Sequence, residues 1–241
     1  GLRLFGVTGT GVTGGLFVNG TTTISGATNE GMYLSSNNGS FSFGDTTVTN
    51  PMGTGIFATG NTGSITFGKT VVDKSASAGT GVDLVSNMAT VTFSDLAITT
   101  MVGDGLLVTD TTNVIVQNTT GMSTIDVTDG RAVDIQSSGI DMIFGAISGE
   151  GGNAGFDGIR IADSSGSFTV TGTAAKPDGG TLANYGIHGV LVDNFMGDIS
   201  LNHMAIANVA LNGIFLDNVT GTTVLNDIMV DTAGGSGVVL T

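Results

Sequence analysis

Asp134 and Arg160 form the first pair of residues in this chain that could do chemistry. Each is the middle residue of an apolar–x–apolar sequence, and the two positions are 26 residues apart. A carboxylate beside a guanidinium can form an ion pair or take part in acid–base catalysis. Glycoside hydrolysis needs two carboxyl groups on one face at a defined separation, and we expect no second carboxylate at that spacing from Asp134. The sequence therefore predicts an ion pair here and leans against catalysis.

A second group of polar residues lies in the two longest stretches between apolar segments, residues 145–157 and 171–188. Long loops on a compact scaffold commonly carry function. The two stretches are consecutive and occupy the same part of the repeat, so we expect them to touch and form one lateral protrusion. The predicted ligand-binding residues are Glu150, Asp157, Lys176, Asp178, Tyr185 and His188. A tolerated insertion without a partner is the alternative.

The two histidines and several aspartates could also bind a metal or act in catalysis. His203 has no titratable neighbour in sequence, and His188 lacks the accompanying carboxylates of a hydrolase site, so we interpret both as non-catalytic. Calcium requires several convergent oxygen ligands, which the spacing of Asp157, Asp193 and Asp217 does not supply. The sequence predicts no metal and no cofactor.

These residues must be positioned by a repeat that runs through most of the chain. A Gly–apolar–x–apolar sequence recurs at steps of 24 to 31 residues, with first apolar residues Met32, Ile56, Val82, Leu106, Val133, Ile159, Val190, Ile214 and Val238. A period in this range is typical of stacked supersecondary units. Residues 1–30 fit the pattern loosely and could form one further repeat.

Within each repeat the apolar residues alternate with polar ones, which is the period of a strand. Three short strands separated by Gly, Asn and Ser corners predict one triangular turn, which we call a rung. Stacked rungs place equivalent residues in columns along the axis. We expect a buried aromatic column of Phe43, Phe67, Phe93 and Phe144 and a corner amide ladder of Asn37, Asn61 and Asn87. We also expect a shortened corner near Asn113 and a lengthened one near Gly221.

Composition excludes several classes of partner. The chain has 241 residues, 20 acids, 6 Lys or Arg and a net charge of −14, so a nucleic acid backbone would be repelled. No apolar run approaches the roughly 20 residues that span a bilayer, so this segment is not expected to insert into a membrane. Cysteine is absent, which excludes a small module stabilised by disulfides.

The Gly–apolar–x–apolar rungs over residues 31–241 resemble the right-handed parallel β-helix repeat family. That family includes polysaccharide lyases and hydrolases, phage tailspikes, and bacterial autotransporter passengers and adhesins. The resemblance implies an all-β fold, a right-handed parallel β-helix (β-solenoid) of about nine rungs in a single domain covering residues 1–241. It is specific for the fold and not for an activity.

Our functional expectation is a non-catalytic rod that presents loops for adhesion or ligand binding at a cell surface or outside the cell. Its partners would be a host or cell surface, through a glycan or a protein receptor. A carbohydrate-active enzyme is the alternative, and an ice-binding face is a third hypothesis that rests on outward Ser and Thr residues interrupted at Val114 and Val116. Neither end shows a cap, so we expect a segment of a longer protein and possible self-association through open ends.

Overall fold

The chain forms a parallel β-helix with three walls. The computed structural model describes residues 1–5, 15–152, 155–173 and 177–241, and every regular element in them is a β-strand. The strands belong to one parallel sheet that winds around the axis for about nine turns. The described residues contain no helix with the length and hydropathy needed to cross a membrane.

The strands of the three walls follow one another in each rung. The first wall contains Leu2–Phe5, Met32–Ser35, Ile56–Thr59, Val82–Val85, Leu106–Thr109, Val133–Gln136, Ile214–Thr220 and Val238–Leu240. The second wall contains Gly15–Val18, Ser40–Phe43, Asn113–Val116, Gly139–Phe144 and Thr223–Asn226. The third wall contains Thr22–Ser25, Thr46–Thr49, Thr124–Val127, Ala146–Glu150, Gly180–Ala183, Met204–Val209 and Met229–Ala233. Four longer strands continue through a corner: Ile65–Ala78 and Thr90–Val102 between the second and third walls, and Ile159–Val170 and Val190–Asn202 between the first and second.

Strand pairing follows the repeat of the sequence. In the first wall Met32 pairs with Ile56 and Ile56 with Val82, so each first apolar residue lies over its equivalent in the next rung. Residues 1–5 and 15–30 supply strands of an earlier rung, because Leu2 pairs with Met32, Leu16 with Phe41 and Ile24 with Val48.

The buried aromatic column contains three of the four residues expected. The ring centroids of Phe43 and Phe67 lie 5.1 Å apart and those of Phe67 and Phe93 lie 4.9 Å apart, both stacked. Phe144 does not continue this column, which passes instead through Val116 to Met142. The prediction for Phe144 was wrong because the corner before its strand is shorter, which moves the strand by two residues relative to the earlier rungs.

The amide ladder is confirmed, and hydroxyl groups extend it. The Asn37 and Asn61 side-chain amides donate to Asn61 Oδ1 and Asn87 Oδ1 at 2.9 and 2.8 Å. All three side chains are buried. In the next rungs Thr111 N donates to Ser138 Oγ at 3.0 Å, and Ser138 N donates to Ser164 Oγ at 3.1 Å. These interior polar groups thus satisfy backbone donors at the corner between the first and second walls.

One of the two predicted changes in corner length is present. Val114 and Val116 pair with Val91 and Phe93 and are fully buried, after a corner one residue shorter than in the preceding rung. They therefore face the core and are not part of an outward Ser/Thr ladder. The lengthened corner at Gly221 was wrong, because Val224 pairs with the outward residue Ser200 and is exposed.

The corner between the first and second walls, which we call the first corner, has a fixed backbone conformation. In eight successive rungs of the described chain one residue adopts a left-handed conformation, with φ between 48° and 63°: Ser36, Gly60, Ser86, Asp110, Ser137, Asp163, Asn194 and Asn218. Glycine, asparagine and aspartate tolerate this conformation best, and serine takes their place in three rungs. The small polar residues at this corner are therefore required by the fold.

Candidate functional site

The two long stretches predicted to bind a ligand are partly wall strands. Residues 145–157 include the third-wall strand Ala146–Glu150, and residues 171–188 include its neighbour Gly180–Ala183. The excursions are therefore shorter than expected, and they occur at two different corners. Asp178 lies at the corner between the second and third walls, exposed and accepting a hydrogen bond from Thr173 Oγ1 at 2.8 Å. Lys176 lies outside the described residues. The expectation that both stretches lie at the same corner was wrong for the residues that the structure describes, because Asp178 belongs to a different corner.

The other four predicted residues do come together, at the corner between the third wall and the next first wall, which we call the third corner. Asn184 Nδ2 donates to Glu150 Oε1 at 2.8 Å, and Gly151 N donates to Ala183 O at 2.9 Å. The two stretches touch here, as the sequence predicted. Only Glu150 among the four is exposed.

Tyr185 is a core residue of this corner. Its side chain is 1% exposed, its hydroxyl donates to Gly130 O at 3.2 Å, and its ring lies 6.2 Å from that of Phe156. Burial raises the pKa of the Tyr185 hydroxyl well above its ordinary value. The hydroxyl therefore stays protonated and fixes the corner instead of reaching solvent.

Asp157 and His188 link adjacent rungs at the same corner. Asp157 Oδ1 accepts a hydrogen bond from His188 N at 3.1 Å, and burial raises the pKa of the Asp157 carboxyl. His188 Nδ1 accepts from Asn212 N at 3.1 Å, and its ring stacks on Phe215 with centroids 5.2 Å apart. Because Nδ1 acts as an acceptor, this arrangement contains an imidazole without a proton at that nitrogen. Both side chains are occupied in holding the rungs together.

The predicted pair of Asp134 and Arg160 is present and has a third member. Asp134 is buried and lies 3.7 Å from Arg160 Nη1, and its other carboxylate oxygen forms an ion pair with Arg131. Gln136 Nε2 also donates to Asp134 Oδ1 at 3.1 Å. Sequence reasoning missed Arg131, although its position three residues before Asp134 was a usable signal. The carboxylate is thus surrounded by donors from Arg131, Arg160 and Gln136.

A second carboxylate lies on the outward face of the first wall, two rungs before Asp134. Burial, with a smaller contribution from nearby Asp104, raises the pKa of Asp83 from 3.8 to about 6. Its Oδ1 is buried and has no hydrogen-bond partner. Sequence analysis did not predict that Asp83 and Asp104 lie close together. Asp104 precedes the strand Leu106–Thr109 and approaches Asp83 only when the rungs stack.

Lys74 is a fully buried cation inside the corner between the third and first walls. Its ammonium donates to Pro51 O at 2.8 Å, to Gly53 O at 2.6 Å and to Ser77 Oγ at 3.2 Å. Burial lowers the pKa of this ammonium. Carbonyl groups that otherwise lack donors are thereby satisfied, so we assign Lys74 a structural role.

Metal ligands do not converge in the part of the chain that the structure describes, where no group of three or more His, Asp or Glu side chains could hold an ion. Asp193 and Asp217 are paired in register, as expected from their spacing. His203 Nδ1 lies 3.2 Å from Asp227 Oδ2, a neighbour one rung away that the sequence did not reveal.

Asp134, Asp157 and His188 each contact a neighbouring rung through an ion pair or a hydrogen bond. Burial raises the pKa of the Asp83 carboxyl to about 6. In comparisons with known proteins, no family model, no curated protein and no solved structure matches the chain.

Proposed function

We propose that this chain is a non-catalytic rod of an exported surface protein, which displays rigid outward faces for adhesion to a glycan or a protein receptor on a host or cell surface. Columns that continue from the first rung to the last support a stiff scaffold, because each rung contacts its neighbours through strand pairing and buried side chains. Such a scaffold positions surface groups at fixed intervals along its length.

The observation that supports this proposal is that the charged groups form ion pairs and hydrogen bonds within the fold. Asp134 is enclosed by Arg131 and Arg160, and Asp157 is buried against the His188 backbone. A general base must be able to reach substrate and accept its proton. Groups that are buried and already hydrogen-bonded serve a scaffold better than they serve catalysis.

A carbohydrate-active enzyme is the second candidate, and Asp83 favours it. A carboxyl group with a pKa of about 6 stays protonated in mildly acidic solution, where an ordinary aspartate has lost its proton, and can act there as a general acid. The required partner would be an ionised carboxylate on the same face, and Asp134 is the nearest such group in this column. Asp134 is buried between two arginines, so a substrate has little access to it.

The two candidates are separated by measuring binding and cleavage together. Fluorescently labelled chain is applied to immobilised plant, bacterial and animal polysaccharides and to intact cells, and soluble products are measured by mass spectrometry. The rod predicts retention on at least one surface without release of sugar products. Product release that disappears in Asp83→Asn would establish the enzyme, and absence of retention on every surface would refute the adhesive role.

A further inference from the structure

An open groove of about 580 Å³ runs along the first corner, and its lining does not include the residues of the third corner described above. It extends over four rungs, and the left-handed corner residues Asp110, Ser137, Asp163 and Asn194 follow one another along its length. Its volume falls within the range of small-ligand sites. The groove direction is that of the rod axis, so an occupant would lie along the stack.

The first corner becomes shorter in the rungs that line the groove. Four residues separate the wall strands at Ser86–Ala89, three separate them at 110–112, and two at 137–138. In the next two rungs, Ile159–Val170 and Val190–Asn202 pass through the corner without a break.

Glycine allows neighbouring rungs to approach closely beside the groove, at the lining residue Gly139 and at Gly166, which follows the lining residue Ser165. A Cβ atom at Gly139 would lie 2.3 Å from Thr112 O, and one at Gly166 would lie 1.8 Å from Ile140 O. Gly166 also has a φ of 118°, which L side chains rarely adopt. Side chains are therefore excluded from these positions.

The lining is mostly polar, with Met196 as its one large apolar side chain, and contains no cation. Asp110 and Asp163 supply exposed carboxylates, Ser137 and Thr112 supply exposed hydroxyls, and Asn194 supplies an exposed amide. Asn194 Nδ2 donates to Asp163 Oδ1 at 2.6 Å, which orients both side chains. Hydroxyls and the amide both donate and accept, whereas carboxylates only accept. A ligand that fits such a lining carries both donors and acceptors and no negative charge.

The geometry points to a binding site for a neutral, hydroxyl-rich oligosaccharide that extends along the rod axis in this groove. Sugar hydroxyls donate to Asp110 and Asp163 and exchange hydrogen bonds with Ser137, Thr112 and Asn194. An anionic glycan is disfavoured by the two carboxylates and by the net charge of −14. A cationic peptide would satisfy the carboxylates but would leave the donor capacity of the hydroxyls unused. This inference rests on the proposed adhesive function and gives it a ligand class and a location.

The test uses titration calorimetry with hexasaccharides of glucose (α- and β-linked), mannose, xylose and N-acetylglucosamine, with hexagalacturonate and hexalysine as charged probes. We expect at least one neutral hexasaccharide to bind and both charged probes to fail. Asp110→Ala should weaken that binding by about tenfold or more, because a hydrogen bond to a charged group contributes that much, and Asn194→Ala should weaken it by about twofold to tenfold, the contribution of a neutral hydrogen bond. Asp126→Ala, which removes an exposed carboxylate from the third wall, is the matched control and should leave affinity unchanged.

Each other outcome overturns the assignment. Binding of hexalysine or hexagalacturonate alone would show that charge and not hydroxyl recognition governs the groove. Neutral hexasaccharide binding that survives both groove substitutions would place the sugar elsewhere, and the adhesive rod would still stand. Binding of none of the hexasaccharides would remove the inference, and the adhesive rod would fail as well only if the polysaccharide and cell surfaces also retained no chain. The exposed positions of the variants allow the fold to be checked by an unchanged circular dichroism spectrum and melting temperature.

Discussion

The stacked rings of Phe43, Phe67 and Phe93 provide a quantitative test of the rung register. Phe67 and Phe93 are fully buried with centroids 4.9 Å apart, and Phe67 also stacks on Phe43 at 5.1 Å. Phe67→Ala and Phe93→Ala should each lower the free energy of unfolding by about 3–5 kcal/mol. A double-mutant cycle between them should give a coupling energy of about 0.5–1.5 kcal/mol, the contribution of an aromatic pair beyond its buried area.

The assay is urea unfolding followed by circular dichroism, with the cycle repeated for Phe43 and Phe93. Those two residues are separated by Phe67, so their coupling should fall within the error of additivity, about 0.3–0.5 kcal/mol. Phe17→Ala is the single-site control, because its side chain is 63% exposed, and it should change stability by less than about 0.5 kcal/mol. Equal couplings for the adjacent and the separated pair would refute the column.

Three further perturbations address charge and metal. The pKa of Asp83 in the folded chain, about 6, lies above its ordinary 3.8, so the folded form keeps a proton that the unfolded form has lost and stability falls as pH rises from about 4 to 6. After allowance for partial exposure, Asp83→Asn should raise the free energy of unfolding at pH 7 by about 1–2 kcal/mol. An unchanged dependence of stability on pH in urea unfolding would contradict this. Lys74→Met leaves two buried carbonyls without donors and should cost about 2–4 kcal/mol in the same assay, whereas Lys69→Met should cost less than about 0.5 kcal/mol. Addition of EDTA should leave the melting temperature unchanged, and a large drop would reveal a metal site that we have rejected.

The fold was largely predictable because particular positions of its repeat require particular residue types. Glycine before most first-wall strands lets the backbone of neighbouring rungs approach closely: a Cβ at Gly55 would lie 2.4 Å from Gly81 O. Alternation then fixes which side chains enter the core, and asparagine at a constant offset forms the ladder through Asn61. Each of these patterns is local, so sequence reasoning could detect it.

Corner lengths limited the prediction of columns. Phe144 was placed with Phe93 by counting residues, but the contraction of the first corner moves its strand by two positions. A count along one rung cannot reveal how that rung pairs with the next. The groove at the first corner was not predicted for the same reason. Its lining residues come from four rungs, and the corners of those rungs differ in length.

The candidate site was predictable only in part, because its contacts cross rungs. Asp134 and Arg160 share a column and were paired correctly, whereas Arg131 enters from the preceding corner. Tyr185 was proposed as a ligand contact because tyrosine is rare in this chain, yet it is buried beneath Phe156. Polar character alone did not distinguish a side chain that faces solvent from one that closes a corner.

The central claim is that the chain is one rod whose equivalent residues lie one strand spacing apart, and pulsed electron spin resonance measures this directly. Because the chain contains no cysteine, two cysteines can be introduced in each variant and labelled specifically. One label replaces Ser42 and the second replaces Asp141, Ser167 or Asp198, all in one outward column of the second wall. The account predicts three narrow distance distributions whose maxima increase by about 4.8 Å at each step, from about 19 to about 29 Å. Broad distributions, or maxima that do not rise in equal steps, would contradict a single stacked rod.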